Sequence, residues 1–182
     1  MPETDTERRL IAAGVELLAE GGTDALSLRE IARRAGVSHG APRRYFPTHR
    51  ALLAAIAREG YRSLAALVRP TSGHDPRQAV LEMARQYVDF AQREPGMFAL
   101  MFRHDLLTGG QMGLRDASTP LFGVLVEQLD RAAVPDPPVT AAALWAGVHG
   151  IAQLWQWGSM QVVTGSDDPG PLLAATVRAH LP

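Results

Sequence analysis

The stretch from Leu28 to Phe46, LREIARRAGVSHGAPRRYF, constrains this chain more than any other. Leu28, Ile31, Ala32 and Ala35 recur at helical spacing and give a first short helix an inner face. Ser27 and Glu30 form the S-x-x-E pattern of a capping box, which sets where that helix begins. Gly36 follows Ala35 directly, where a helix ends and the backbone needs positive φ. Val37 is placed to plug the corner. Ser38 then reads as the N-cap of a second helix of about two turns. Pro42 is tolerated in its first turn, where the N–H groups have no intrahelical partner. Two short helices joined by a tight turn form a helix-turn-helix, which lays its second helix in a DNA major groove.

Charge agrees with that reading. Six arginines (29, 33, 34, 43, 44 and 50) lie between Ser27 and Arg50, against one acid, Glu30. Met1 to Arg69 holds 11 Arg and 8 Asp and Glu, a net of +3; Pro70 to Pro182 holds 7 against 11, a net of −4. The overall charge of −1 therefore hides a basic module joined to an acidic one. Basic density on a DNA-facing element supplies the counterion-release part of binding. A solvated arginine face on an ordinary helical protein is the other reading of the charge alone.

Further residues match a known pattern in order. They are the helix of Leu10, Ile11, Ala12, Ala13 and Leu17, then Gly21-Gly22, then Leu28-x-x-Ile31-Ala32. Ala35-Gly36-Val37-Ser38-x-Gly40, Tyr45-Phe46-Pro47 and Leu52-Leu53 complete it. This segment resembles the DNA-binding domain of the TetR family of bacterial transcriptional regulators. The resemblance implies a homodimer on double-stranded DNA and an effector pocket in the second module. The DNA-facing set expected from it and from the turn is Ser27, Arg29, Ser38, His39, Gly40, Ala41, Arg43, Arg44, Tyr45, Thr48 and His49. Two positions depart from the family. Arg43 stands where an aromatic residue, usually Tyr, contacts phosphate, and His49 stands where Lys is common. His49 carries a full charge only below its pKa, near neutrality or lower.

Length bounds the rest. The 182 residues allow one or two small domains with a real core. With no cysteine, disulfides and thiolate chemistry are excluded. Met1 to Arg9 is polar and charged rather than an apolar signal segment, so a cytoplasmic protein is expected. The longest apolar stretch, Ala141 to Trp157, is interrupted by His149, Gln153 and Gln156, and reads as a buried helix rather than a membrane span.

The periodicity predicts an all-α chain of about nine helices. A helix-turn-helix DNA-binding domain is expected over residues 1–47, and a helical effector-binding and dimerisation domain over 48–182. Helix 48–68, capped by Thr48, connects the two. Gly21-Gly22 stops the first helix. Arg69-Pro70-Thr71-Ser72-Gly73 breaks the connecting helix, and Asp75-Pro76 opens the next. Met97 to Leu107 reads as one short helix, Thr108 to Asp116 as a loop, and Thr119 to Ala133 as a helix. Pro135 to Pro138 reads as a linker, Thr140 to Met160 as a long apolar helix, and Leu172 to Leu181 as the last.

Trp145, His149 and Gly150 form a W-x-x-x-H-G pattern in the long apolar helix. It resembles the C-terminal class of the same family named WHG after those residues. Trp145 and His149 lie one turn apart on one face. A buried imidazole there can bond a ligand or satisfy a neighbouring carbonyl. Tyr87, Phe90, Phe98, Met101, Phe102, Trp145 and His149 are the candidate ligand-binding residues, and suit a mainly apolar or aromatic effector. The same residues fit an ordinary helical core. Small residues at Ala142, Ala143, Ala146, Gly147 and Gly150, with Leu172, Leu173, Thr176, Val177 and His180, suit a four-helix dimer interface or close packing within the chain.

No G-x-S-x-G, H-E-x-x-H, P-loop or dinucleotide fingerprint is present, and no histidine falls at a metal-ligand spacing. No catalytic residue, metal or cofactor is expected. The rival readings are an enzyme and a helical small-molecule-binding protein without DNA activity. Salt-dependent binding to duplex DNA separates both from a regulator.

Overall fold

The computed structural model describes residues 5–70, 75–107 and 113–181. The expected break at Thr71-Ser72-Gly73 and most of the loop after Leu107 lie outside those residues. The fold is all-α, with eight helices of at least seven residues and no strand among the described residues. In chain order the helices are α1 (Asp5–Gly21), α2 (Leu28–Arg34), α3 (Ala41–Tyr45), α4 (His49–Leu67), α5 (Pro76–Arg93) and α6 (Pro95–Met101). Then follow α7 (His104–Leu107), α8 (Leu114–Arg131), α9 (Pro137–Gln156), α10 (Ser159–Thr164) and α11 (Gly170–His180).

The chain forms two compact units. One comprises Met1–Arg62 and Glu94–Ala117, the other Ser63–Arg93 and Ser118–Pro182. The first unit thus includes α6, which the sequence reading assigned to the second module.

In the first unit, α1 buries Leu10, Ile11, Ala13, Gly14, Leu17 and Leu18, a single stripe at helical spacing. That stripe packs on α2, α3 and α6. Glycines set how closely the helices approach. Gly14 leaves room for Ile56 of α4, whose side chain a Cβ would overlap. A Cβ at Gly60 would stand 2.6 Å from Met101 Sδ. A Cβ at Gly96 would stand 2.8 Å from the Leu18 carbonyl oxygen, which is backbone and cannot swing away. Tyr61 locks α4 to α6 by donating its hydroxyl proton to the Met101 carbonyl at 3.0 Å. Burial pushes the Tyr61 pKa up to about 12, so this donor stays protonated.

In the second unit, α5, α9 and α11 pack on one another and α10 packs on α9. The inner face of α5 carries Ala79, Val80, Met83, Ala84, Tyr87, Val88, Phe90 and Ala91. Leu173 and Val177 of α11 are buried. Gly147 lets α11 approach α9, since a Cβ there would lie 3.1 Å from Thr176 Cγ2. Gly147, Leu173 and Val177 therefore serve packing within the chain, the second of the two roles the sequence left open.

Several boundaries differ from expectation, each for a local reason. The segment after Glu94 is two helices, because α6 ends at Met101 and α7 restarts at His104. Helix α8 starts at Leu114 and carries Pro120 inside it, so proline does not mark its beginning. Asp136 caps α9 by accepting the Val139 N–H, which starts the helix at Pro137 rather than Thr140. Gly158, at φ 74°, ends α9 early and opens the separate α10. Helix α9 is also not buried all round, since Val139, Ala142, Ala143, Trp145 and Ala146 are exposed.

Replacing Gly96 by Ala should lower the thermal midpoint, because the new methyl meets backbone; overpacking of this kind costs about 1–3 kcal/mol. Gly123 in α8 is the control, since a Cβ there meets nothing within 4 Å. Gly123→Ala should raise stability by about 0.5–1 kcal/mol through helix propensity. Calorimetry of the two variants checks both signs.

Candidate functional site

The helix-turn-helix is built around the end of α2. Ser27 caps its start with extended backbone, and its Oγ accepts the Glu30 N–H at 3.2 Å. The capping box is only half formed. The Glu30 carboxylate takes Arg33 as a two-pronged partner, and the Ser27 N–H bonds the Ala25 carbonyl at 3.0 Å. At the other end Gly36 sits at φ 64°. The Val37 N–H reaches the Ala32 carbonyl at 3.1 Å and the Gly36 N–H reaches Arg33 at 3.2 Å. These two bonds are the Schellman closure that a left-handed glycine permits. Val37 is half-buried in the corner.

The second helix departs from expectation. It begins at Ala41 rather than after Ser38, and spans five residues rather than about two turns. Gly40 is its N-cap, with no side-chain cap bond. The Ser38 carbonyl closes a turn with the Ala41 N–H at 2.9 Å, which places Ser38 in the turn ahead of the helix rather than at its cap. Ser38, His39 and Gly40 therefore form an exposed turn ahead of α3. Gly40 has φ −83°, and a Cβ there would meet nothing within 4 Å, so packing within the chain does not require glycine. Pro42 and Ala41 are buried, while Arg43, Arg44 and Tyr45 face outward. Thr48 caps α4 as expected, accepting the Ala51 N–H on its Oγ1 at 3.1 Å.

The arginines of this region divide into two groups. Arg33 pairs with Glu30, and Arg34 grips Glu20 of α1 through two bonds of 2.6 and 2.9 Å while also reaching Glu16. The hydrogen bond and charge of Arg34 hold Glu20 below the usual carboxylate range. The Arg103 hydrogen bonds, aided by Arg103 and Arg50 charges, likewise hold Asp105 low. Arg29, Arg43 and Arg44 are exposed, and among the described residues none offers them a carboxylate. His49 is engaged too, since its Nε2 donates to the Leu26 carbonyl at 2.7 Å. The ring ties the start of α4 to the loop before α2.

The candidate ligand residues fall in both units. Phe98, Met101 and Phe102 belong to the first, where Phe98 and Phe102 stack at 4.9 Å and Tyr61 meets Phe102 edge-on at 6.0 Å. Tyr87, Phe90, Trp145 and His149 belong to the second. There Trp145 Nε1–H donates to the Tyr87 hydroxyl oxygen at 3.3 Å, and that hydroxyl lies 2.8 Å from His149 Nδ1. Trp145 can only donate, so the tyrosine oxygen is the acceptor of that bond, while the direction of the Tyr87–His149 bond follows the imidazole tautomer. Trp145 is exposed, Tyr87 and Phe90 are buried, and His149 lies between. Burial pushes the His149 pKa down from 6.5, so the neutral ring is favoured at pH 7.

The sign of the resulting pH effect follows. The unfolded chain takes up the His149 proton before the folded one does, so stability contributed here is present above 6.5 and falls as pH drops through that value. His149→Gln should remove this part of the acid loss in thermal midpoint. Nitrogen NMR of wild type should show an imidazole that titrates below 6.5.

Comparison with known proteins identifies the fold and its lineage. A family model described as "Bacterial regulatory proteins, tetR family" matches residues 10–56. One described as "Tetracyclin repressor-like, C-terminal domain" matches residues 80–180, more than half of the chain. The WHG class is not part of that match. The transcriptional repressor KstR of Rhodococcus jostii is 26% identical over 154 residues, covering 84% of this chain and 70% of its own. A protein of unknown function from Rhodococcus sp. RHA1 has a similar structure, with TM-score 0.81 and 28% identity over 98% of this chain and 94% of that one. The structure of BioQ with its double-stranded DNA operator shares the fold at TM-score 0.65 and 22% identity, over 92% of this chain and 97% of that one. These relatives are regulators of transcription rather than enzymes where their function is named. With its helix-turn-helix and its matched C-terminal half, the chain belongs to the TetR family of bacterial regulatory proteins.

Proposed function

We propose that this chain is a one-component transcriptional repressor that binds palindromic operator DNA as a homodimer and releases it when a mainly apolar or aromatic small molecule binds. The observation that carries DNA binding is the division of the arginines. Arg33 and Arg34 are held by carboxylates, while Arg29, Arg43 and Arg44 are exposed on the short helices and have none. Guanidinium groups without internal partners suit phosphates and guanine edges. Ser38, His39 and Gly40 form the turn assigned to the groove, the buried Ala41 anchors α3 behind it, and Ser27, Tyr45, Thr48 and His49 lie around it. The similarity to a repressor and to a fold seen on operator DNA supports the reading.

The dimer is argued from α9. Its 20 residues, PPVTAAALWAGVHGIAQLWQ, include no Asp, Glu, Lys or Arg, yet Val139, Ala142, Ala143 and Ala146 are exposed. A Cβ at Gly150 would meet nothing within 4 Å. An uncharged outward face of small side chains suits the close approach of a second copy. The effector is assigned to Tyr87, Trp145 and His149, where an aromatic edge and a polar network meet. Ligand releases DNA only if it binds the non-operator conformation more tightly. Helix α4, which begins at His49 shortly after α3, is the proposed lever, because groove spacing between half-sites tolerates little error.

Arg43→Ala and Arg44→Ala, titrated against a duplex selected by wild type and against random DNA at several salt concentrations, test the DNA reading. Loss of a guanine contact should cost about 1–3 kcal/mol on the selected duplex only. Loss of a phosphate contact should weaken both duplexes and lower the salt slope by about one. Wild-type binding by both variants sinks the assignment. For the dimer, Ala146→Glu should sediment as a folded monomer with collapsed operator affinity, because burying an unpaired charge costs several kcal/mol. A folded variant that stays dimeric removes α9 from the interface.

A further inference from the structure

We propose that Arg9 of α1 is a positioning residue for DNA recognition, which touches no DNA but holds the α2–α3 turn in its binding geometry. This rests on the DNA-binding reading above. Arg9 Nη2 donates to the Ala35 carbonyl at 2.6 Å and to the Gly36 carbonyl at 3.3 Å. Those carbonyls belong to the C-cap of α2 and to the left-handed residue after it. The Schellman bonds use the carbonyls of Ala32 and Arg33, so Ala35 and Gly36 would otherwise be among the orphan acceptors of a helix end. A cation there also complements the negative end of the helix dipole.

The consequence reaches the recognition element through few bonds. Gly36 leads through Val37 into the exposed turn of Ser38, His39 and Gly40, and then into α3. That helix has five residues and no side-chain cap, so it has little means of fixing its own orientation. Its placement depends on the turn, and the turn is held to α1 by Arg9 on one side and by the Arg34 pair with Glu20 and Glu16 on the other. Gly36 suits its φ of 64°, and a Cβ there would crowd Arg9 Nη2 at 3.2 Å. The exposed Arg9 thus directs its guanidinium onto carbonyl oxygens of the chain, unlike Arg43 and Arg44.

The test uses the full chain with Arg9→Gln and Arg9→Lys, titrated on the selected duplex across a salt series well below each thermal midpoint. Arg9→Gln should lose operator affinity on the order of tenfold, the scale of a charge-assisted hydrogen bond. Its salt slope should equal that of wild type, and Arg9→Lys should recover part of the loss. Unchanged affinity overturns the proposal. So does a slope lowered by about one, which would make Arg9 a phosphate contact. An affinity loss that disappears on cooling also overturns it, since Arg9 would then serve only global stability. Hydrogen exchange without DNA keeps this separate from the DNA reading itself. The Val37 and Ala41 amides, bonded to Ala32 and Ser38, should exchange faster in Arg9→Gln. Exchange unchanged from wild type overturns the clasp. If exchange accelerates while wild type binds no duplex, the DNA reading falls and the positioning role falls with it.

Discussion

The left-handed backbone at Gly36 is the constraint on which the DNA-facing half depends. It lets α2 close on itself through the Ala32 and Arg33 carbonyls and turns the chain toward α3 within a few residues. A side chain at that position would meet both the strain of positive φ and the guanidinium of Arg9. Helix α3 is too short to be stable alone, so the geometry presented to a partner is that of the turn and of the buried Ala41 and Pro42 that anchor it. The outward face of α3 is thus set by the packing of its neighbours, which suits the groove-reading role proposed for it.

Electrostatics divides labour among residues of one type. Arg9 and Arg34 bind α1 to the end of α2 through carbonyls and carboxylates, and Arg33 pairs with Glu30 within α2, while Arg29, Arg43 and Arg44 keep their charge outward. The structural pairs are exposed and individually weak. Their value is geometric, since a forked guanidinium fixes direction as well as distance. The outward group supplies the field that draws in a polyanion.

The second unit solves a different problem. Its helices α5, α9 and α11 bury an ordinary apolar core, then admit one polar network through Trp145, Tyr87 and His149. Such a network is favourable when each partly buried donor finds an acceptor, and here Trp145 Nε1–H finds the Tyr87 hydroxyl oxygen. Helix α9 combines that network with an outward face of small uncharged residues. One helix can therefore carry both ligand chemistry and a surface fit for another copy of the chain.

Local signals made much of this legible in sequence. Turn and cap chemistry act within a few residues, so Ser27, Gly36, Thr48 and Pro76 could be placed from the chain alone. The inner face of α2 followed from helical spacing, with Ile31, Ala32 and Ala35 buried, and the family from the ordered motifs around Gly36. Competition between local and distant partners was not legible. Ser38 looks like a cap, but α3 starts only at Ala41 with Gly40 as its cap; Glu30 completes a capping box on paper, but Arg33 claims its carboxylate. Arg9 and Arg34 are indistinguishable in sequence from Arg43 and Arg44, because their partners lie 14 to 27 residues away. Small residues on α9 look alike as well, yet Gly147 packs on Thr176 while Gly150 faces open space. Sequence by itself determined the helices, the turn and the lineage, since those depend on backbone propensity and short-range pattern. Only tertiary structure decided which charges are held inward and which are left for a partner, because that depends on contacts between helices far apart along the chain.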